Sequence, residues 1–489
     1  MIEAGAAPCI LGHNQCMVEA QAPPIIIIVL LPVGVVVGAI LMRVFVNRPS
    51  RSIIPLYAAS LPIASAIDVP VPLPAPFNSL SSLLGAVAIG TCAAHLLVHR
   101  RARIPSASAG IWALFLSWVC LTGFWALEPV SAFRTMMIAS SLIMLMLIVA
   151  ALPLDVKDFE VIRRAVMISG LIVGLYGVYL QAAGAQFPTH GVSQRFSITS
   201  DAEQSDPNIL AASLLMPLGL AIEQTILGTP KWRSWRSRAL GTTATLFTVV
   251  AIAFTASRGG LVSAIVLFAG TLFYCAKAPG GRIRVRATLR NIAVALFGGV
   301  IAVMLSNYFL PRLTARAETR LLNPAIQRTL RAQGDPSGRA EIWQAGLVAC
   351  ENHCLLGVGI GNFARIYNEV FAFSGAGKHV GSNRVAHNLY LSLAVETGFV
   401  GLTLFGIGLA TEWARLSSTR MMSIGPSFKP LLIGLLIANI FLSAVWFKYF
   451  WLVFTLIRAA EASVSPLVEV ERDHPLPAQV RWSAYAADA

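Results

Sequence analysis

Stretches of about twenty apolar residues recur along the chain, each long enough to cross a hydrocarbon core of ~30 Å as one helix. Hydrophobic residues make up 56% of the chain and charged residues 12%, against roughly 45–50% and 25% in soluble domains. A soluble protein is therefore excluded. The low charge also excludes a disordered chain. A β-barrel is disfavoured because the sequence lacks the regular alternation of apolar and polar residues that membrane strands show. The pattern predicts an all-α, polytopic integral membrane protein.

The apolar runs predict about 12–13 membrane-spanning helices joined mostly by short connections. Residues 1–24 form an N-terminal segment on the outer side, helices 1–10 fall within 25–310, helices 11–13 fall within 386–460, and 461–489 form a cytoplasmic tail. Lys and Arg residues are concentrated in every second short connection, which predicts that those connections are cytoplasmic. Topology thus accounts for most of the net charge of +14, and we expect no nucleic-acid binding.

The stretch 311–385 is predicted to be one large loop on the outer side, much longer than the other connections. Within it, "SGRAEIWQAGLVACENH" has a helical pattern that places Ile342, Leu347 and Val348 on one stripe. The following "LLGVGIGNF" (355–363) has the glycine spacing of a dinucleotide fingerprint but lacks the strand, crossover helix and acidic residue that the fingerprint requires. We therefore expect no cofactor, and a glycine-rich turn whose backbone passes close to another helix or a ligand.

Cys350 and Cys354 are four residues apart in this loop, with His353 between them. In an oxidising compartment a disulfide is geometrically tolerable, although the spacing is untypical of a regular helix, so both a disulfide and free thiols stay open. Zinc is disfavoured because the three candidate ligands crowd on one turn and lack a fourth. The chain also lacks an Asp-x-Asp pair, so we expect no metal site and no nucleotide-sugar enzyme.

Three residues stand out at the predicted outer boundary of the membrane. Arg258 lies in a short hinge between two spans, where it either snorkels or meets an anion. Arg339 opens the helix of the large loop, where a cation is unfavourable unless an anion is near. His387 opens the eleventh span, either as a solvated or capping residue or as a base near neutral pH. Two arginines and a histidine suit the binding of a lipid diphosphate and the removal of a proton from an incoming hydroxyl.

Four segments resemble the O-antigen ligase and polymerase superfamily of bacterial envelope glycosyltransferases. They are "QSDPNILAASLL" (204–215), "TASRGG" (255–260), the run from "GRAEIW" (338–343) through "LLGVGIGNF", and "AHNLYLSLAVETGFVGLTLF" (386–405). The likeness covers 195–455. It implies a helical fold with a large periplasmic loop, and metal-independent transfer of a glycan from undecaprenyl diphosphate to an acceptor hydroxyl with inversion at the anomeric carbon. The acceptor is lipid A-core in ligases and another lipid-linked repeat unit in polymerases of O-antigen or exopolysaccharide, and the sequence leaves these open.

The same resemblance implies roles for individual residues. Arg258 and Arg339 would bind the diphosphate, and His387 would be the base or orient the acceptor. Arg195 and Asn388 are expected to add contacts to the substrate. The resemblance also implies a multi-pass protein of the bacterial inner membrane whose active site faces the periplasm, with a lipid-linked glycan donor, a glycan or lipid acceptor and membrane lipids as partners.

Glu396 and Lys448 are expected to pair within the membrane, because isolated charges there are costly. The rival function is transport or flipping of a lipid-linked oligosaccharide, which also suits a chain with many helices and few charges. Transporters usually carry internal repeats and ionisable residues near the bilayer midplane. Neither feature is obvious in this sequence, which favours the glycosyltransferase.

Overall fold

The computed structural model describes residues 41–64, 79–99, 102–103, 105–183, 189–190, 193–198, 206–228, 235–277, 282–289, 339–374 and 383–464. Within these ranges the regular secondary structure is helical, apart from a short antiparallel ribbon of β1 (Thr189–His190) and β2 (Ser193–Gln194). The predicted all-α fold is confirmed. Segment 1–24, most of the first predicted span, the span at 290–310 and nearly all of the tail lie outside the described residues.

The labelled helices follow one another along the described part of the chain. They are α1 (Ile53–Ala64), α2 (Leu80–His99), α3 (Ala107–Thr122), α4 (Pro129–Ala151), α5 (Val156–Ala182), α6 (Pro207–Ser213), α7 (Leu215–Leu227), α8 (Trp235–Phe254), α9 (Arg258–Lys277), α10 (Arg339–His353), α11 (Phe363–Ser374), α12 (Leu389–Leu416), α13 (Thr419–Ile424), α14 (Phe428–Ala438) and α15 (Lys448–Val464). Single 3₁₀ turns cover Pro49–Arg51 and Gly123–Trp125, and residues 41–47 and 282–289 are also helical.

Eight helical segments in the described part are long and apolar enough to cross a membrane. They are Leu80–His99, Ala107–Trp125, Pro129–Ala151, Val156–Ala182, Pro207–Leu227, Trp235–Phe254, Arg258–Lys277 and Leu389–Leu416. These segments confirm the class of polytopic membrane protein. The total number of spans and the predicted domain limits stay predictions.

The segment formed by α6 and α7 is the most buried of these and occupies the centre of the bundle. Pro207 opens it, since the missing N–H of proline costs nothing at the first helical position. Its one acidic residue, Glu223, is 2% exposed and accepts from Arg163 Nη1 of α5 at 2.9 Å. The N–H and the hydroxyl of Ser427 also donate to Glu223. A buried charge of this kind is tolerated because it is paired and fully hydrogen-bonded.

Small residues set the close approach of helices around this centre. Gly174 of α5 faces the backbone of α8, where an added Cβ would lie 2.2 Å from the carbonyl oxygen of Phe247. At Gly170 an added Cβ would lie 2.5 Å from Pro217 of α7. Within a membrane, apolar side chains contact lipid as favourably as they contact one another, so the hydrophobic effect does not drive helices together. Membrane helices therefore associate through such close contacts between small residues.

The helix termini divide the bundle into two ends. Helices α2, α4, α6, α9, α12 and α15 begin at one end, called the site end below, where Lys448 contacts Ser81 and Asn388 contacts Ser443. The opposite end carries ion pairs such as Arg51 with Asp158.

Hydropathy predicts one continuous span at 428–446, but the structure interrupts it, since α14 ends at Ala438. Asn439 ends it by turning the chain: the side-chain Oδ1 accepts from the N–H of Ala444 at 3.1 Å. The carbonyl of Asn439 accepts from the N–H of Leu389 at 3.0 Å, so the turn lies against the start of α12. Residues 439–447 therefore form part of the site end rather than of a continuous span.

Candidate functional site

Arg258 is the first residue of α9, and its side chain is exposed at the site end. The turn before it is tight: Ala256 has a left-handed φ of 50°, and Ser257 Oγ accepts from the N–H of Gly260 at 3.1 Å. Gly260 also lets α9 lie directly on α6, because an added Cβ would come within 2.5 Å of Ala211. The turn thereby leaves Arg258 and the positive end of the helix dipole open to an anion.

Arg195 ties this turn to the start of α6. Its Nε donates to the carbonyl of Thr255 at 2.8 Å, and its Nη2 donates to Asn208 Oδ1 at 2.8 Å. Asn208 in turn donates from its backbone N–H and its side-chain Nδ2 to Asp206 Oδ1, both at 2.8 Å. The structure thus places Arg195 as a link between two helix starts, and its expected contact with the substrate stays a prediction.

Arg339 opens α10, half-buried at the site end. Its Nε is buried and has no hydrogen-bond partner among the described residues. A buried donor without a partner costs about 1–3 kcal/mol, so this position favours a bound acceptor group. One turn later, Trp343 Nε1 donates to the carbonyl of Ala386 at 3.0 Å, which holds the start of α10 beside His387.

His387 lies between Ala386 and the first turn of α12. Burial lowers the pKa of its imidazole, and the positive charge of Arg339 lowers that pKa further. The carboxylate of Asp206 acts in the opposite direction, and Arg384 adds a smaller lowering. The imidazole is therefore neutral at pH 7 and can accept a proton. These charges also show that Arg339 and Asp206 both lie near His387, although they are far apart in sequence.

Backbone strain concentrates at the same end. Among the described residues, the non-glycine positions with left-handed φ are Ala256 (50°), Asn383 (59°) and His387 (46°). Each such conformation costs roughly 1–2 kcal/mol and persists only where surrounding contacts enforce it. Because such strain clusters at functional sites, its position beside Arg258 and at His387 supports a role for both turns.

Asn388 caps α12, with its Oδ1 accepting from the N–H of Leu391 at 3.0 Å. Its own N–H donates to Ser443 Oγ at 3.1 Å, which fastens the helix start to the turn at 439–447. That turn also reaches α9, since Phe441 lies beside Gly259. Asn388 therefore fixes the geometry of His387, and a direct contact with the substrate stays a prediction.

The glycine-rich segment at 355–363 crosses α12 where that helix breaks. Gly398 has a φ of 71°, and the N–H groups of Val358 and Gly359 donate to the carbonyls of Val395 and Glu396 at 2.9 and 3.0 Å. Gly359 has a φ of 94° and lies so close to Ala126 that an added Cβ would be 2.5 Å from it. The expected glycine turn with close backbone approach is confirmed. Backbone groups freed by the break are thus satisfied without water.

The expected pair between Glu396 and Lys448 is wrong. Glu396 Oε2 accepts from the N–H of Gly361 at 3.0 Å, so a backbone donor of the glycine segment takes the place of a cation. Lys448 Nζ instead donates to the hydroxyls of Ser81 and Ser82 at 2.6 and 2.8 Å. The two residues do not pair because a peptide N–H replaces the cation at Glu396, while serine hydroxyls hold the ammonium group of Lys448 in place.

Helix α10 differs from its predicted stripe. Ile342 is buried as expected, but Leu347 is 62% exposed and Val348 is also exposed. Ala345 and Ala349 share the buried face with Ile342, because positions three and seven residues apart lie on one side of a helix. At the C-terminal end of this helix, the two thiols left open by the sequence, Cys350 and Cys354, form a disulfide with Cα atoms 4.4 Å apart.

Two charged residues near His387 went unassigned in the sequence. Asp206 lies in the "QSDPNILAASLL" segment, and its pattern indicates only a helix cap before a proline. Arg384 lies three residues before His387 in a stretch without any motif. Only the fold brings Asp206 next to His387, so spacing along the chain gave no signal for it.

The fold and the site together define a polytopic helical membrane protein with a cluster of arginines, a histidine and an aspartate at one end of its bundle. Residues 243–406 match the family model described as O-antigen ligase, which confirms the resemblance to the O-antigen ligase superfamily and supports a membrane enzyme that processes glycans. The matched range includes Arg258, Arg339 and His387. No curated protein matches the sequence.

Proposed function

We propose that the protein transfers a glycan from a polyprenyl diphosphate, undecaprenyl diphosphate in bacteria, to an acceptor hydroxyl in the synthesis of a surface polysaccharide. The observation that carries this proposal is the convergence of Arg258, Arg339 and His387 at the site end. Arg258 is exposed, Arg339 has a buried donor without a partner among the described residues, and His387 is neutral at pH 7. A diphosphate leaving group, which gains negative charge as it departs, and a hydroxyl to be deprotonated need these three properties.

The reaction follows from these positions. The acceptor oxygen attacks the anomeric carbon of the donor sugar, and the bond between that carbon and the phosphate oxygen breaks. His387 takes the hydroxyl proton, while Arg258 and Arg339 stabilise the negative charge on the departing polyprenyl diphosphate. Attack opposite the leaving group inverts the anomeric carbon. Asp206 opposes the charges of Arg339 and Arg384 near His387 and stabilises the imidazolium that forms.

The distribution of charge supports a site that faces the periplasm of the inner membrane. Basic residues of the far end include Lys157 and Arg238, and the short connections there carry most of the positive charge. Positive connections face the cytoplasm, so the site end faces outward. Polymer assembly on that side requires a donor that is already lipid-linked, in agreement with an anion site at the membrane boundary.

The proposal covers two acceptors, lipid A-core and a second lipid-linked repeat unit. A deletion strain complemented with wild type, His387→Ala or His353→Ala distinguishes them. Bare lipid A-core with long polymer retained on the carrier indicates a ligase, and single repeat units alone indicate a polymerase. His353→Ala, an exposed histidine of α10, is the control and should restore wild-type glycan.

Full complementation by His387→Ala would remove the histidine from the reaction. The purified protein in proteoliposomes would instead be established as a transporter if it moved lipid-linked oligosaccharide across their membrane without forming a glycosidic bond. The in vitro assay therefore separates the two classes of function directly.

A further inference from the structure

A cavity of about 210 Å³ opens at the site end beside the cluster just described. Its polar lining includes Ser81, Ser82, Lys448, Tyr449, Arg134 and Asp206. Its apolar lining includes Leu61, Ile138 and Leu210. Arg258, Arg339 and His387 do not line it. The cavity is thus a separate space, and Asp206 is the residue it shares with the surroundings of His387.

In the described part of the chain, the two cations that line the cavity, Lys448 and Arg134, have no paired carboxylate. Lys448 Nζ donates to Ser81 Oγ and Ser82 Oγ at 2.6 and 2.8 Å, and Ser79 Oγ lies at 3.5 Å. Among the residues that the structure describes, neither Lys448 nor Arg134 forms an ion pair. Neutral hydroxyls orient an ammonium group but leave its charge uncompensated, and an unbalanced charge in a membrane protein indicates a ligand.

Two long helices begin at this lining. Helix α2 begins at Leu80, directly after Ser79, and α15 begins at Lys448 itself. Helix starts carry a partial positive charge and free N–H groups, and both add to the field of the cations. Asp206 is the opposing charge, but its Oδ1 already accepts two hydrogen bonds from Asn208.

Tyr449 supplies an independent sign of a ligand. Its side chain is 7% exposed and lines the cavity, yet its hydroxyl has no hydrogen-bond partner among the described residues. Buried hydroxyls are nearly always partnered, so an unpartnered donor on a residue that lines a polar cavity points to a bound acceptor atom.

We propose that this cavity binds a phosphate group carried by a lipid, at a second anion site distinct from Arg258 and Arg339. Lys448, Arg134 and the Tyr449 hydroxyl contact the phosphate oxygens, and the apolar wall takes the start of the lipid chain. A lipid bound here lies next to Asp206 and so to His387. Its role as the acceptor rests on the proposed function, whereas the phosphate site itself stands on the lining alone.

The test is a binding measurement with undecaprenyl monophosphate on the purified full-length chain in nanodiscs. An Arg258→Ala, Arg339→Ala background disables the proposed donor site, so the remaining binding reports on the cavity. Adding Lys448→Met should weaken binding at least about tenfold, because a charge-assisted contact is lost. Lys157→Met, an exposed lysine at the far end, is the matched control and should leave affinity unchanged.

Tyr449→Phe provides a second variant, which removes no hydrogen bond among the residues that the structure describes and so should leave folding intact. It should weaken binding about threefold to tenfold. Wild-type affinity in both Lys448→Met and Tyr449→Phe would overturn the site. Phosphatidylglycerol as competitor identifies which lipid carries the phosphate. If it competes as strongly as unlabelled undecaprenyl monophosphate, the cavity binds a phospholipid headgroup. If it competes only weakly, the cavity binds a polyprenyl phosphate. Because no transfer is measured, this result is independent of whether the protein proves to be a glycosyltransferase.

Discussion

At the residue scale, the side chains of the site differ in how firmly the protein holds them. Arg195 is fixed by two hydrogen bonds at 2.8 Å, and Arg339 is half-buried with an open Nε. Arg258 is exposed and forms no ion pair with any described residue. The fixed arginine builds the site, whereas the two open ones are available to a substrate.

Replacement of Arg258 tests its role directly. Arg258→Ala should reduce the transfer rate about 100-fold, because one donor to the developing charge is lost. Arg258→Lys should still lose about tenfold, since a point charge does not reproduce a bidentate contact to phosphate. Arg365→Lys, in the exposed ion pair with Glu369, is the control and should be silent. The measurement is transfer by purified protein from a lipid-linked donor, and equal rates for Arg258→Lys and wild type would contradict bidentate binding.

The charges around His387 predict opposite changes in the pH dependence. The base acts when neutral, so its lowered pKa keeps transfer active below the ordinary histidine pKa, and the rate falls only at lower pH. Arg384→Gln removes a cation that lowers the pKa, so the acidic limb of kcat/KM should move to higher pH. Asp206→Asn removes the opposing carboxylate, so the limb should move to lower pH. Both changes should be a few tenths of a pH unit, as screened charges allow. If the acidic limb moved in the same direction in both variants, His387 would be excluded as the titrating base.

At the scale of elements, the site depends on breaks in helices rather than on their regular parts. Gly398 interrupts α12, and the glycine segment fills the interruption with its own N–H groups. Sequence patterns predicted the glycine turn but not its partner, because the contact joins segments about 40 residues apart and hydropathy carries no information on backbone pairing. The same limit applies to the turn at Asn439, which hydropathy reads as part of one span.

Two glycines of α12 provide a matched test of this break. Gly398→Ala places a side chain at a φ of 71° and within 2.4 Å of the Leu355 carbonyl oxygen, so it should cost at least about 1–2 kcal/mol. Gly406→Ala meets nothing within 4 Å and should gain up to about 1 kcal/mol. Thermal unfolding in detergent, followed by tryptophan fluorescence, measures both. Equal unfolding midpoints for the two variants would show that the break at Gly398 does not contribute to stability.

At the scale of the whole molecule, composition and hydropathy sufficed for the class because lipid imposes helices on any chain that spans it. They did not suffice for the buried charges. Arg458 and Glu412 pair without any exposure to solvent, and Trp112 Nε1 donates to Glu412 at 2.8 Å. The expected partner of Glu396 was wrong for the same reason. A sequence shows that a buried carboxylate needs a partner, but only the packing of helices decides whether a cation, a hydroxyl or a peptide group is that partner.

Orientation is the property of the whole molecule on which the proposed reaction depends, since a lipid-linked donor is needed only if the site faces away from the cytoplasmic pool of activated sugars. In a background with the seven natural cysteines replaced, Arg365→Cys on α11 reports on the site end and Lys157→Cys reports on the far end. A membrane-impermeant maleimide applied to spheroplasts should label Arg365→Cys at once and Lys157→Cys only after lysis, because the basic connections of the far end remain in the cytoplasm. Glycan synthesis by both variants is the control for native folding. The reverse labelling would place His387 in the cytoplasm, where the donor would have to be a soluble activated sugar, and the proposed transfer from a polyprenyl diphosphate at the periplasmic face would be excluded.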